Sequence, residues 1–139
     1  MAAINFFTED IVFKLPHPRK TSAWIKRVAQ KEKHSINQVN FIFCSDEYLR
    51  IKNIEFLNHK TYTDIITFDY ADTEGELEGD IFISVDRIRE NAEKFDRPFD
   101  EELHRVIIHG VLHLLGYDDK TPQLKAIIHK KEDACLSLR

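Results

Sequence analysis

One helical segment limits the choice of fold more than any other part of the chain. From Leu103 through Val106, Ile107, Ile108, Val111, Leu112, Leu114 and Leu115 it is apolar nearly all the way round. A helix without a polar face has to be covered on most sides, so other helices and a sheet must be built around it. Within it stand His109 and His113. Residues four apart share a helix face, so both imidazoles can point at a single atom. The apolar run stops at Gly116 and passes straight into Tyr117, Asp118 and Asp119. A reversal at that glycine brings a carboxylate back toward the imidazoles. Two nitrogens and one carboxylate oxygen make a catalytic-metal ligand set with a coordination position left open.

Buried imidazoles are costly unless their ring nitrogens are paired, and a metal, a backbone carbonyl or a carboxylate can pair them. The carboxylates just after the turn favour the metal. Gly110, between the histidines, costs a helix about 1 kcal/mol and implies that something approaches the backbone closely. It also stands where an HExxH peptidase would carry its general-base glutamate, which argues against a zincin-like peptidase. Whatever activates water must come from elsewhere in the chain or from the metal.

The 139 residues suit one domain with its own core, spanning 1–139, and 42% of them are hydrophobic. No apolar run approaches the length of a membrane span, and the amino terminus lacks the basic start and long apolar stretch of a signal peptide. Cys44 and Cys135 form no CxxC pair, so both are expected to be reduced, small apolar residues in a cytoplasmic protein. A net charge of −4 excludes a nucleic-acid binder by composition alone. The charge is uneven, however. Lys14, Arg19, Lys20, Lys26, Arg27, Lys31 and Lys33 face a single acidic residue, Glu32, between positions 14 and 33, whereas Asp69 to Glu102 is strongly acidic. The basic stretch is either a solvated helix face or a surface that touches phosphates.

Element signals give an α+β fold: about four strands in a small mixed sheet, packed with about five helices, with the metal site on the buried helix and the loop after it. Strands are expected at Ile4–Phe7, Ile11–Phe13, Gln38–Cys44, Thr63–Phe68 and Gly79–Val85, the first two as short strands or one hairpin. Thr21 or Ser22 is expected to cap a helix to about His34, and Ser45 one that carries Leu49, Ile54 and Phe56. Val85, Ile88, Ala92 and Phe95 have helical spacing. Asp100, Glu101 and Glu102 open the histidine helix. Thr121-Pro122 opens the last helix, with Leu124, Ile127 and Ile128.

His109-Gly-Val-Leu-His113-Leu-Leu-Gly116-Tyr117-Asp118 resembles the HGxLHLxGYDH signature of the YbeY family of metal-dependent endoribonucleases, with Asp119 in place of the final histidine. Thr63-Asp64-Ile-Ile-Thr67-Phe68 is similar to that family's TDVLSF strand, and Gly79-Asp80-Ile81 to its GDI strand start. The resemblance implies one Zn2+ per chain on His109, His113 and Asp119. Because Asp119 replaces a nitrogen with a charged oxygen, it also favours harder ions such as Mn2+. Leu57 occupies the position the family fills with an arginine, and His59 and Lys60 are the nearby cations that can take over contact with RNA. Asp64 or Asp80 is a candidate to orient water or to hold a ligand histidine.

The function the resemblance implies is a single-strand-specific endoribonuclease in the late maturation of ribosomal RNA, at the 3′ end of the small-subunit RNA. Its partners would be ribosomal RNA and the small subunit or its proteins. Two other readings use the same residues: a ribosome-assembly factor with a structural metal, and a metallohydrolase of another substrate.

Overall fold

A computed structural model describes residues 3–57 and 63–139. In chain order the elements are β1 (Ala3–Glu9), α1 (Pro18–Lys31), β2 (Ser35–Cys44), α2 (Asp46–Leu57), β3 (Ile65–Asp69), β4 (Glu76–Ser84), α3 (Val85–Lys94), α4 (Phe99–Leu114) and α5 (Pro122–Leu136). The sheet order is β1-β2-β4-β3. β1 and β4 both run parallel to β2, and β3 pairs antiparallel to β4. This is the mixed α+β sheet expected from the sequence.

Alternation along the strands divides the core. Val39, Phe41, Phe43, Leu77, Ile81 and Ile83 face the main core, where they meet Trp24, Ile25 and Val28 of α1 and the apolar side chains of α4. On the opposite face a small cluster of Cys44, Ile66 and Leu49 seats α2. Further along that face a polar row crosses three strands: Asn5 Nδ2 donates to Asn40 Oδ1 at 3.0 Å, and Asn40 Nδ2 to Asp80 Oδ1 at 3.0 Å. Asp80 is thus occupied in the sheet.

Two expected elements differ. Ile11–Phe13 forms no strand. β2 ends at Cys44, paired with Glu9, so no pairing edge continues past that point. Asp10 turns the chain at φ 55°, and Ile11 and Phe13 pack against the core as loop residues. α1 begins three residues before Thr21, because Pro18 takes the first helical position, where its missing N–H costs nothing. Thr21 is buried, and its hydroxyl bonds back to the His17 carbonyl at 3.3 Å. The apolar residues Phe56, Phe95 and Ile127 are exposed rather than in the core. The other caps form as expected: Ser45 Oγ accepts from Tyr48 N at 3.1 Å and Thr121 Oγ1 from Leu124 N at 3.1 Å.

α4 lies across the sheet and is the most deeply buried helix. Gly110 explains how closely it approaches. A Cβ there would stand 2.9 Å from Ile65 Cδ1 on β3 and 2.9 Å from Ile81 Cγ2 on β4. The close approach implied by this glycine is therefore made by the sheet itself. α5 packs on the other flank of α4. Trp24 Nε1 ties α1 to it by donating to the Cys135 carbonyl at 2.8 Å. No helix among the described residues is long and apolar enough to cross a membrane.

Candidate metal centre

His109 and His113 project from one face of α4, their rings edge to face with centroids 4.6 Å apart. The helix then closes in a Schellman turn: Tyr117 N donates to the Leu112 carbonyl and Gly116 N to the His113 carbonyl, both at 3.0 Å. Gly116 supplies the positive φ of 104° that this turn needs. Two consecutive aspartates follow, and they part company. Asp118 Oδ1 accepts from the backbone N–H groups of Asp119 at 2.6 Å and Lys120 at 3.0 Å, so it is spent on its own turn. Asp119 turns back to the histidines. Its Oδ2 lies 3.4 Å from His109 Nε2 and 3.6 Å from His113 Nε2. Tyr117, between turn and aspartates, anchors the loop by donating to Glu32 Oε1 at 2.6 Å, while Lys131 holds Glu32 Oε2 at 2.8 Å.

The spacing tests whether these residues suit a metal. Two donors about 2.0–2.1 Å from one ion at a tetrahedral angle lie about 3.3 Å apart. The three separations here are 3.0 Å between the two Nε2 atoms and 3.4 and 3.6 Å to Asp119 Oδ2. His109, His113 and Asp119 are the donors that cluster in this way among the described residues. A first-row divalent ion fits this set by distance and by chemistry.

Support for the candidate ligands comes from a residue not singled out in the sequence. Glu132 of α5 is buried, and its Oε2 lies 2.5 Å from His109 Nδ1. The carboxylate accepts a hydrogen bond from Nδ1–H, which keeps the proton on Nδ1 and leaves the Nε2 lone pair aimed at the cluster. Arg105, one turn before His109, donates to Glu132 Oε1 at 2.9 Å and to Asp133 Oδ1 at 2.6 Å. His113 is steadied by a hydrogen bond with the backbone of Tyr117. Neither Asp64 nor Asp80 holds a ligand histidine by a hydrogen bond; Glu132 does. Its signal was present in the sequence: Ile128, Glu132 and Cys135 form the buried stripe of α5, and a carboxylate in such a stripe needs a partner.

The electrostatics follow from this arrangement. Burial pushes the His109 pKa down, but Glu132, Asp64 and Asp119 outweigh it and hold the group above its ordinary value. Burial pushes His113 down, and the neighbouring His109 adds to the effect. Asp64, at the entry to β3, faces the same cluster, and burial raises its carboxyl above the usual range despite the attraction of His109. His59 and Lys60 lie outside the described residues.

The family model for Endoribonuclease YbeY matches residues 5–138. The chain belongs to the YbeY family. An Endoribonuclease YbeY of Cytophaga hutchinsonii is 52% identical over 136 residues, covering 98% of this chain and 95% of its own length. The Endoribonuclease YbeY of Bacteroides thetaiotaomicron is 45% identical over 137 residues, 99% of each chain. Among solved structures, a solution structure of a Thermotoga maritima protein matches with a TM-score of 0.67 at 26% identity, covering 97% of this chain and 87% of that one. The YbeY resemblance read from three short motifs therefore extends over the whole fold.

Proposed function

We propose that this single domain, residues 1–139, is a metal-dependent endoribonuclease of ribosomal RNA maturation, with His109, His113 and Asp119 as its metal ligands. Membership of the YbeY family makes the chain an endoribonuclease, a hydrolase of RNA phosphodiester bonds. The observation that carries the metal-dependent reading is the convergence of three donor atoms at separations of 3.0, 3.4 and 3.6 Å on a chain of that family.

Bound there, a divalent ion would supply Lewis-acid polarisation of a phosphoryl oxygen and activation of water. Zn2+ is the ion proposed, one per chain, with Mn2+ favoured relative to a three-histidine site because Asp119 is a hard oxygen donor. The protein's own groups do the rest. Glu132 fixes the His109 tautomer through Nδ1. The Schellman turn and the Tyr117–Glu32 bond hold Asp119 in place. Asp64, half-buried and within electrostatic reach of His109, is placed to orient water or hold a proton at its carboxyl. Three protein donors are what a catalytic site uses, whereas a closed structural site takes four.

The small ribosomal subunit or its proteins are the proposed partners, single-stranded ribosomal RNA near the 3′ end of the small-subunit RNA the substrate, and the cytoplasm the location. His59 and Lys60 are proposed to contact RNA phosphates where Leu57 replaces the family's arginine. Elemental analysis of tag-free protein is expected to find about one equivalent of metal. Cleavage of single-stranded RNA is expected to disappear in a folded His113→Ala variant. Cleavage that survives in that variant would refute the site. Bound metal without any cleavage would favour the assembly-factor reading.

A further inference from the structure

A cavity of about 360 Å³ opens beside α4, away from the metal centre: none of His109, His113 and Asp119 lines it. His104 stands in its wall. It lies five residues before His109, which places it about 140° round the helix. The floor is Trp24, and the start of α1 and the end of the chain complete the walls. A volume of this size lies within the range of small-ligand sites.

The lining is unbalanced in charge. Lys20, Arg27 and Arg139 converge there with His17 and His104, against one carboxylate, Asp100. Asp100 is already engaged by Arg139 at 2.9 Å. Arg139 also lies over the Trp24 ring, 5.9 Å from its centroid, and Arg27 donates to the Leu138 carbonyl at 3.2 Å. These contacts hold two guanidinium groups at the rim. Like charges gathered in a concave wall focus a positive potential and attract an anion.

His104 supplies the second, independent sign of a ligand. It is only 5% exposed. Its Nδ1 lies 2.7 Å from the Asp100 carbonyl oxygen, which makes Nδ1 the N–H donor there. Nε2 has no partner among the described residues, although the imidazole lines the cavity. An anion would let that nitrogen take up a proton and donate. His17 precedes the first helical residue of α1 and offers no side-chain cap, so the positive end of a 14-residue helix opens at the same place.

We propose that this cavity is a phosphate-binding site, separate from the metal centre, in which Lys20, Arg27, Arg139 and His104 hold a phosphate group. Guanidinium groups match phosphate oxygens in pairs, and Lys20 adds a mobile point charge.

Trp24 is the sole tryptophan of the chain. Its indole N–H, bonded to the Cys135 carbonyl beneath the cavity floor, therefore gives a single NMR signal that reports on this ring. Inorganic phosphate is expected to shift this signal saturably, while sodium chloride at matched ionic strength is not. Lys20 is exposed and bears no packing, so Lys20→Glu should fold normally and weaken the response about tenfold or more. Arg139→Ala should weaken it as well. A short single-stranded RNA, added afterwards, identifies the source of the phosphate: displacement assigns the cavity to an RNA backbone, and no displacement assigns it to free phosphate or a mononucleotide. No saturable shift with phosphate, or a shift that both variants leave unchanged, overturns the proposal. The titration reads Trp24 and not cleavage, so it can succeed even if the metal-site reading fails, and the reverse.

Discussion

Glu132 is the residue whose removal should be most instructive. It touches no ion, yet it decides which nitrogen of His109 is available to one. Its two oxygens are divided between His109 Nδ1 and Arg105 Nη1. Glu132→Gln keeps the shape and removes the charge, leaving Asp133 as the anion paired with Arg105 and weakening the grip on Nδ1. Groups in this supporting position typically contribute 10- to 100-fold to metal affinity, and a loss of about that size is expected. Competition against a chromophoric chelator measures it, and an unchanged affinity would show that α4 alone orients the imidazole. The histidines and a returning carboxylate were legible in the sequence because helical spacing and a glycine stop are local signals, while the choice of Asp119 over Asp118 came from its place in the YbeY signature. Glu132 is supplied by a different helix, and only the packing of α5 on α4 reveals what its buried carboxylate faces.

At the level of elements, the turn after α4 matters more than its small size suggests. Gly116 has φ 104°, and a Cβ added there would meet nothing within 4 Å. A substitution therefore costs backbone strain and not packing. Gly116→Ala should destabilise by about 1–2 kcal/mol, and Gly116→Asn by less, because asparagine tolerates left-handed backbone better. Thermal melts should rank the three proteins glycine, asparagine, alanine, and metal retention should follow the same order, since the turn carries Asp119. An alanine variant as stable as the parent would mean that the turn adapts freely. Elsewhere, elements with local punctuation were readable: Ser45, Thr121-Pro122 and the acidic start of α4 all mark helix ends. The stretch from Ile11 to Phe13 misled because its residues are apolar for the sake of the core. Only the length of β2 determines that no strand can form there.

For the whole molecule, His104 links stability to pH. Burial, with Arg139 and Lys20 nearby, lowers its pKa from the ordinary 6.5, more than Asp100 and its carbonyl can offset. As pH falls, the unfolded chain binds this proton first. The stability that neutral His104 provides is thus complete above about pH 6.5 and is withdrawn as pH drops from there toward the lower folded-state value. Urea melts of the parent and of His104→Gln, in chloride buffers free of phosphate, should diverge below about pH 6.5, with the variant losing less. Parallel curves would show that the imidazole is protonated equally in both states.

The order of the chain adds a consequence in time. A domain folds as a unit, and its amino-terminal part is synthesised first. The three donors stand at positions 109 to 119, but the carboxylate that fixes His109 sits at 132, on the helix that also receives the Trp24 hydrogen bond. A growing chain that has not reached α5 carries all three donors but lacks the carboxylate that holds the Nδ1 proton. On the proposed ligand set, tight metal binding would therefore wait for the last helix of the chain, and a truncation that ends before Pro122 is expected to hold metal more weakly than the full chain.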